Sequence, residues 1–219
     1  MASEVDGLKS KMQPVVQERV SRVEYLCGRL EGAEVVVAQA GIGKVNAAIC
    51  AQTMCLKFAP DLILNTGVSG GYQMDIGSVV VADAVVEHDM DTSPIGDPKG
   101  YISGLNMVKM PATPWVSKRL YLAAQACGAA CYHGVIASGD QFINSNQKAQ
   151  ELHDLFGAIA YEMEGAAIGH VCSQNDLPFS VLRVISDNGD DQSHLDYPTF
   201  MRQAADRSVA IVREFLCRL

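Results

Sequence analysis

Short β-rich runs alternate with stretches of helical spacing along most of the 219-residue chain, and this alternation constrains the fold more than any other feature. Asp61-Leu62-Ile63-Leu64-Asn65 is a continuous apolar run too short for a helix, and Phe179 to Ile185 is another strand-length run. Runs of this kind suit strands buried on both faces. Val79 to Val86, Gly134 to Ala137 and Ala158 to Tyr161 read as further strands. Arg22 to Leu26 and Ala33 to Ala38 read as a hairpin that turns at Arg29-Leu30-Glu31-Gly32. Helical spacing covers Lys44 to Phe58, Trp115 to Cys127, and residues 146–155, 164–174 and 198–217. In the last of these, Phe200, Ala204, Val209, Val212 and Leu216 share a stripe. A short helix is expected over 3–15, capped by Ser3 and ended near Pro14. Residues 89–114, rich in Gly, Pro and Asp, read as a long loop. The pattern predicts a single α/β domain over residues 1–219, with a mixed, mostly parallel sheet flanked by helices.

In such folds ligands bind beyond the C-terminal ends of the strands. Four strand ends carry polar or glycine-rich clusters, at 65–71, 138–144, 162–164 and 186–191, and these should converge on one crevice. Hydrophobic residues make up 48% of the chain, enough for a sizeable core. The formal net charge of −8 argues against a nucleic-acid partner, because proteins that grip phosphate backbones are usually basic. No apolar stretch is long enough to span a membrane, and the first residues lack the apolar core of a signal peptide. The seven cysteines are odd in number and show no C-x-x-C spacing, so they read as reduced core thiols of a cytoplasmic protein.

Glu162 and Glu164 flank Met163 where a strand becomes a helix, amid small and apolar residues. Either could grip vicinal hydroxyls, since a carboxylate accepts two hydrogen bonds at once. Acidic decoration of a helix N-terminus is the other reading. Asp187 ends a buried strand, where desolvation suits a general acid, although an N-cap or turn role explains most Ser-Asp pairs. Arg183 in the same strand needs a carboxylate or anion partner, and Glu164 is a candidate. Gly41-Ile42-Gly43-Lys44 is neither a Walker loop nor a dinucleotide fingerprint. His88-Asp89-Met90-Asp91 carries metal-type residues, but neighbours on a strand point to opposite faces, so a loop-anchoring role is preferred. His194, near Asp190 and Asp191, also reads as loop anchoring.

Five motifs occur in order: Ala40-Gly41-Ile42-Gly43-Lys44-Val45-Asn46-Ala47-Ala48, Asn65-Thr66-Gly67-Val68-Ser69-Gly70-Gly71, Ser138-Gly139-Asp140-Gln141-Phe142-Ile143, Glu162-Met163-Glu164-Gly165-Ala166-Ala167 and Arg183-Val184-Ile185-Ser186-Asp187. Together they resemble the purine nucleoside phosphorylase/nucleosidase superfamily, and within it the bacterial 5′-methylthioadenosine/S-adenosylhomocysteine nucleosidases, over nearly the whole chain. The resemblance implies a nucleoside phosphorylase-like fold. It implies hydrolysis of the N-glycosidic bond with release of adenine, in methionine salvage, without metal or cofactor. It makes Asp187 the acid that protonates adenine N7 and Glu164 the clamp on the ribose hydroxyls. Met163 would pack on the sugar, Phe142 would stack on adenine, and the backbone of Ile143 would read its edge. Gly70 would line the site, Ile42 and Tyr197 would border the 5′-substituent, and Arg183 would hold water. Glu162 and Ser186 join the same substrate-binding set.

The general base implied by the resemblance is Glu4, in Met1-Ala2-Ser3-Glu4-Val5. The family's first strand precedes that stretch, so either the recorded start is late or the protein lacks that strand; if the first strand is absent, a sheet edge is exposed and Glu4 sits on a fraying terminus. Asn65 stands where phosphorylases of this fold carry an Arg for phosphate, which favours water as the nucleophile. A phosphorylase, a futalosine-type hydrolase and a non-catalytic purine-binding protein remain the alternatives. The resemblance also implies a homodimer in which the partner's 89–114 loop, with Ile95, Ile102 and Met107, closes the 5′-pocket.

Overall fold

The computed structural model describes residues 2–188 and 193–219, the side chains of 193–199 excepted. The elements run α1 (Ala2–Lys9), β1 (Val15–Val20), β2 (Val23–Leu30), β3 (Ala33–Ala38), α2 (Lys44–Phe58), β4 (Ile63–Gly71) and β5 (Val79–Glu87). They continue with β6 (Met110–Pro111), α3 (Pro114–Ala126), β7 (Cys131–Ser138), α4 (Asn146–Phe156), β8 (Ala158–Glu162), α5 (Gly165–Gln174), β9 (Phe179–Asp187) and α6 (Ser193–Leu216). The expected helix over Lys44 to Phe58 matches α2 end for end. The first helix is shorter than the 3–15 expected, and β1 was not foreseen. Most of β1 is exposed or half-buried, so its sequence lacks the alternation that marks a strand. The hairpin between β2 and β3 turns at Glu31 (φ 50°) and Gly32 (φ 87°), two left-handed residues as a tight two-residue turn requires.

The main sheet has the order β6-β5-β7-β8-β4-β9, and β9 pairs back onto β5. The expectation of a mostly parallel sheet is corrected here. Pairs β5–β7, β7–β8 and β4–β9 are parallel, while β5–β6, β5–β9 and β4–β8 are antiparallel. Register shifts at Ala82/Ala84, Ser69/Gly70 and Val135/Ile136 bend the strands, so the sheet curls into a partly closed barrel. Such bulges increase local twist and leave little trace in a pattern of apolar residues.

Both faces of this sheet are covered. Val80, Ala82, Val181 and Ile185 face the core shared with α2 and α5, while Val79, Val81, Leu182 and Val184 face the core shared with α3 and α6. Strands alternate faces residue by residue, so two covered faces require near-continuous apolar runs. Each fully buried Val, Leu or Ile contributes roughly 1.5–3 kcal/mol relative to exposure. The same parity puts Arg183 on the α5 face, between Val181 and Ile185. The buried stripe of α6 is Ala204, Ala205, Ser208, Ile211, Val212 and Phe215, rotated from the expected one: Val209 and Leu216 are only half-buried.

The β1-β2-β3 sheet is separate. Among the described residues, β3 pairs with β2 alone, and β4 pairs through residues 63–69 with β9 alone. The open edges of β3 and β4 line one cavity of about 1410 Å³. The fraying expected of Glu4 is not seen. Glu4 is 2% exposed on α1, and α1 is seated by Leu8 against Val212 and Val209 of α6.

Candidate active site

The strand ends meet through register. Glu87, Ser138 and Glu162 are neighbours across β5, β7 and β8, and Gly70 of β4 lies between Tyr161 of β8 and Asp187 of β9. The described parts of the four clusters anticipated from sequence therefore share one side of the sheet. Glu4, Ile42, Gly70, Phe142, Glu162, Met163, Glu164, Arg183 and Asp187 all line the same cavity. Ile143 and Ser186 are not on its wall but buried behind it. The side chain of Tyr197 lies outside the described residues, as do Asp190, Asp191 and the side chain of His194.

The floor of the site is a buried ion pair. Arg183 donates to Glu162 and to Asn65 Oδ1, and its guanidinium packs against Gly67, where a Cβ would stand 3.2 Å from Nη1. Glu162, rather than Glu164, is thus the partner of Arg183. Glu162 also accepts the Ser138 hydroxyl and the amides of Glu164 (2.9 Å) and Gly165 (2.7 Å). Burial alone would raise its pKa, but the Arg183 charge and these three donors hold it below the usual carboxylate range. With both oxygens engaged inside the protein, Glu162 anchors the turn that presents Glu164.

Glu164 is shifted the other way. Burial and the nearby Glu162 charge push its pKa up, opposed by Arg183 and by the Gly43 amide, which donates to Oε1 at 2.9 Å. Asp187 is 2% exposed at the end of β9, and the Ser186 hydroxyl donates to its Oδ2 at 2.9 Å. Glu4 accepts from the Thr66 hydroxyl at 3.3 Å. Phe142 is 49% and Ile42 75% exposed, so these two apolar side chains form the rim. Ser69 Oγ and Arg183 Nε are buried and make no hydrogen bond among the described residues.

Sequence reasoning missed several contributors. Ser138 joins Glu162 to the Ala166 amide, and its signal was only a hydroxyl at a strand end. Lys44, Asp89 and Asp140 tie the loop before α2 to the strand ends. The loop-anchoring reading of His88-Asp89-Met90-Asp91 agrees with this, and Asp91 holds the Ser93 amide at 2.9 Å. Among the described residues no group of His, Cys, Asp and Glu is arranged to hold a metal ion.

The sequence model of the Phosphorylase superfamily matches residues 1–216. A 5′-methylthioadenosine/S-adenosylhomocysteine nucleosidase of Bacillus subtilis (strain 168) is 33% identical over 222 residues, covering 100% of this chain and 96% of its own. The solved structure of a nucleosidase of the same name from Neisseria meningitidis, in complex with methylthio-immucillin-A, superposes with a TM-score of 0.96 at 32% identity, covering 100% of this chain and 96% of that one. The native structure of futalosine hydrolase from Helicobacter pylori strain 26695 superposes with a TM-score of 0.95 at 28% identity, covering 100% and 95%.

Proposed function

The chain belongs to the phosphorylase superfamily, and from that membership we propose that it hydrolyses the N-glycosidic bond of 5′-methylthioadenosine and S-adenosylhomocysteine, releasing adenine and a 5′-thio-ribose. The charge around the cavity carries the choice of water over phosphate. Among the described residues on its wall the cations are Arg29 and Arg183, and each already pairs with a glutamate. A phosphate would meet Glu4, Glu164 and Asp187 without an unpaired cation to hold it.

In this reading Asp187 protonates adenine at N7, so the base leaves neutral as the sugar develops oxocarbenium character. Ser186 fixes the rotation of that carboxyl. Glu4 takes the proton of the attacking water, which Arg183 helps to hold. Glu164 accepts the ribose 2′- and 3′-hydroxyls, with Gly43 holding one of its oxygens. Met163 packs on the sugar and Phe142 stacks on the base, while Ile42 and Tyr197 border the 5′-group and the Ile143 backbone reads the adenine edge. An adenine-release assay tests the claim: equal rates with and without phosphate are expected, and strict phosphate dependence would overturn it. The similarity to futalosine hydrolase makes futalosine the comparison substrate, and faster turnover of futalosine would replace the thio-nucleosides.

The reading extends to a cytoplasmic homodimer in methionine salvage. All seven cysteines carry free thiols, which suits a reducing compartment. Val45, Ile49 and Leu56 are 69%, 50% and 78% exposed at helical spacing on α2, and Ile95 in the 89–114 loop is 81% exposed. A second copy would cover these residues beside the cavity rim at Ile42. Sedimentation of the wild type as a dimer and of Val45→Asp/Ile49→Asp as a monomer is expected; a monomeric wild type would refute the assembly.

A further inference from the structure

The loop ahead of α2 is closed by a ring of hydrogen bonds that the proposed chemistry does not use. The Lys44 amide donates to Asp140 Oδ1 (2.8 Å), and the Asp140 amide donates to Asp89 Oδ2 (2.9 Å). Asp89 Oδ1 then accepts from Lys44 Nζ (2.6 Å). Lys44 thus both opens and closes the ring, once with its backbone and once with its ammonium. A second ion pair joins Lys44 Nζ to Glu87 Oε2 at 3.1 Å, and Glu87 Oε1 meets His170 Nδ1 of α5 at 2.9 Å.

These ion pairs are shielded. The Lys44, Glu87 and Asp89 side chains are 19%, 12% and 18% exposed. Two carboxylates neutralise the ammonium. What the ring does hold is Gly43, whose amide bonds Glu164 Oε1. Gly43 stands at φ +92°, and a Cβ there would lie 2.9 Å from Asp140 Oδ1, so the Asp140 carboxylate is packed directly against this turn.

We propose that Lys44 is a positioning residue for Glu164, and thereby sets how sharply the protein separates a ribose from a sugar lacking its vicinal hydroxyls. The inference rests on Glu164 being the ribose clamp described above. A carboxylate held at one oxygen by a fixed amide presents the other in one orientation. That amide is fixed only while residues 43 and 44 are, and the ring fixes them. Without the ammonium, Glu87 keeps His170 and Asp89 keeps the Asp140 amide, but the two shielded carboxylates lose the charge that holds them together and repel each other. Asp89 then shifts and carries Asp140 with it, so Asp140 no longer holds the loop in place. A misplacement near 1 Å at a positioned group costs roughly 10²-fold.

The test compares 5′-methylthioadenosine with its 2′,3′-dideoxy analogue. Lys44→Met is expected to lower kcat/KM for the ribonucleoside by roughly 10²-fold, mainly through KM, and to leave the dideoxy analogue at the wild-type value. Lys44→Arg keeps the charge and is expected to restore most of the loss. Equal losses on both substrates would overturn the proposal, because general damage to the protein does not read hydroxyls. If Lys44→Met fails to fold, Asp140→Ala removes only the acceptor for the loop and should change the ratio in the same direction; an unchanged ratio there overturns the proposal as well. If the wild type cleaves neither nucleoside, the hydrolase reading falls. Calorimetric affinities for adenosine and 2′,3′-dideoxyadenosine then decide the inference on the same variants: a collapsed ratio supports it and a constant one overturns it.

Discussion

Replacing Asp187 with Asn is expected to lower kcat by about 10²- to 10⁴-fold while leaving KM within a small factor of the wild type. The side chain keeps its shape, so it stays at the end of β9 beside Gly70, with Ser186 available as a partner. What it loses is the acidic proton. At about 1.36 kcal/mol for each tenfold, this corresponds to roughly 2.7–5.5 kcal/mol of transition-state stabilisation. The loss should fall on kcat because the proton moves only as the bond breaks, whereas contacts with the bound nucleoside remain. Steady-state adenine release measures both constants, and a thermal melt confirms that the variant is folded. Full retention of the rate would remove Asp187 from the acid role and with it the mechanism above.

The largest expected effect on stability comes from Glu162→Ala. It leaves Arg183, 1% exposed, as a buried charge without its carboxylate, and it also strands the Ser138 hydroxyl and two amides. Breaking a buried pair in this way costs about 3–5 kcal/mol. Proteins of this size have total stabilities of roughly 5–15 kcal/mol, so the melting temperature should fall by about 6–20 °C. Replacing both partners, Glu162→Met with Arg183→Met, should recover the part of that loss due to the unpaired Arg183 charge, while the stranded Ser138 hydroxyl and two amides keep theirs. A melt of Glu162→Ala within about 2 °C of the wild type would show that the pair does not hold the strand ends together. The pH dependence follows from the depressed pKa of Glu162. Its unfolded-state pKa is the higher of the two, so the unfolded chain takes up the proton first as pH falls. The stabilisation is therefore present above the ordinary carboxylate value and lost as pH falls through the depressed one.

These two residues also show how far the sequence could be read. The acid at the end of β9 was legible because an apolar run stops at Ser186-Asp187, and such a stop marks a strand end. The two glutamates were legible as a pair, but not their division of labour. Glu162 and Glu164 are two positions apart, and nothing local says which one Arg183 will meet. The parity of β9 and the pairing of β8 with β7 decide it, by bringing Ser138 and Arg183 to Glu162. Glu164 is left at the start of α5, facing the Gly43 amide across 121 residues of sequence.

The sequence by itself determined the order of the main strands and helices, because covered faces impose a period of two on strands and a matching stripe on helices. It also determined which strand ends carry polar clusters. It did not reveal β1, whose side chains are mostly outside any core, nor the antiparallel return of β9 onto β5. Those depend on edge hydrogen bonds between main-chain groups that every residue carries alike. Tertiary structure alone decided that the sheet curls, that Glu4 is enclosed by α6 and β4, and that Lys44, Asp89 and Asp140 form one ring. The physical reason is the same in each case. Burial and pairing bring together groups far apart in the chain, and a carboxylate acquires its role from the donors that reach it.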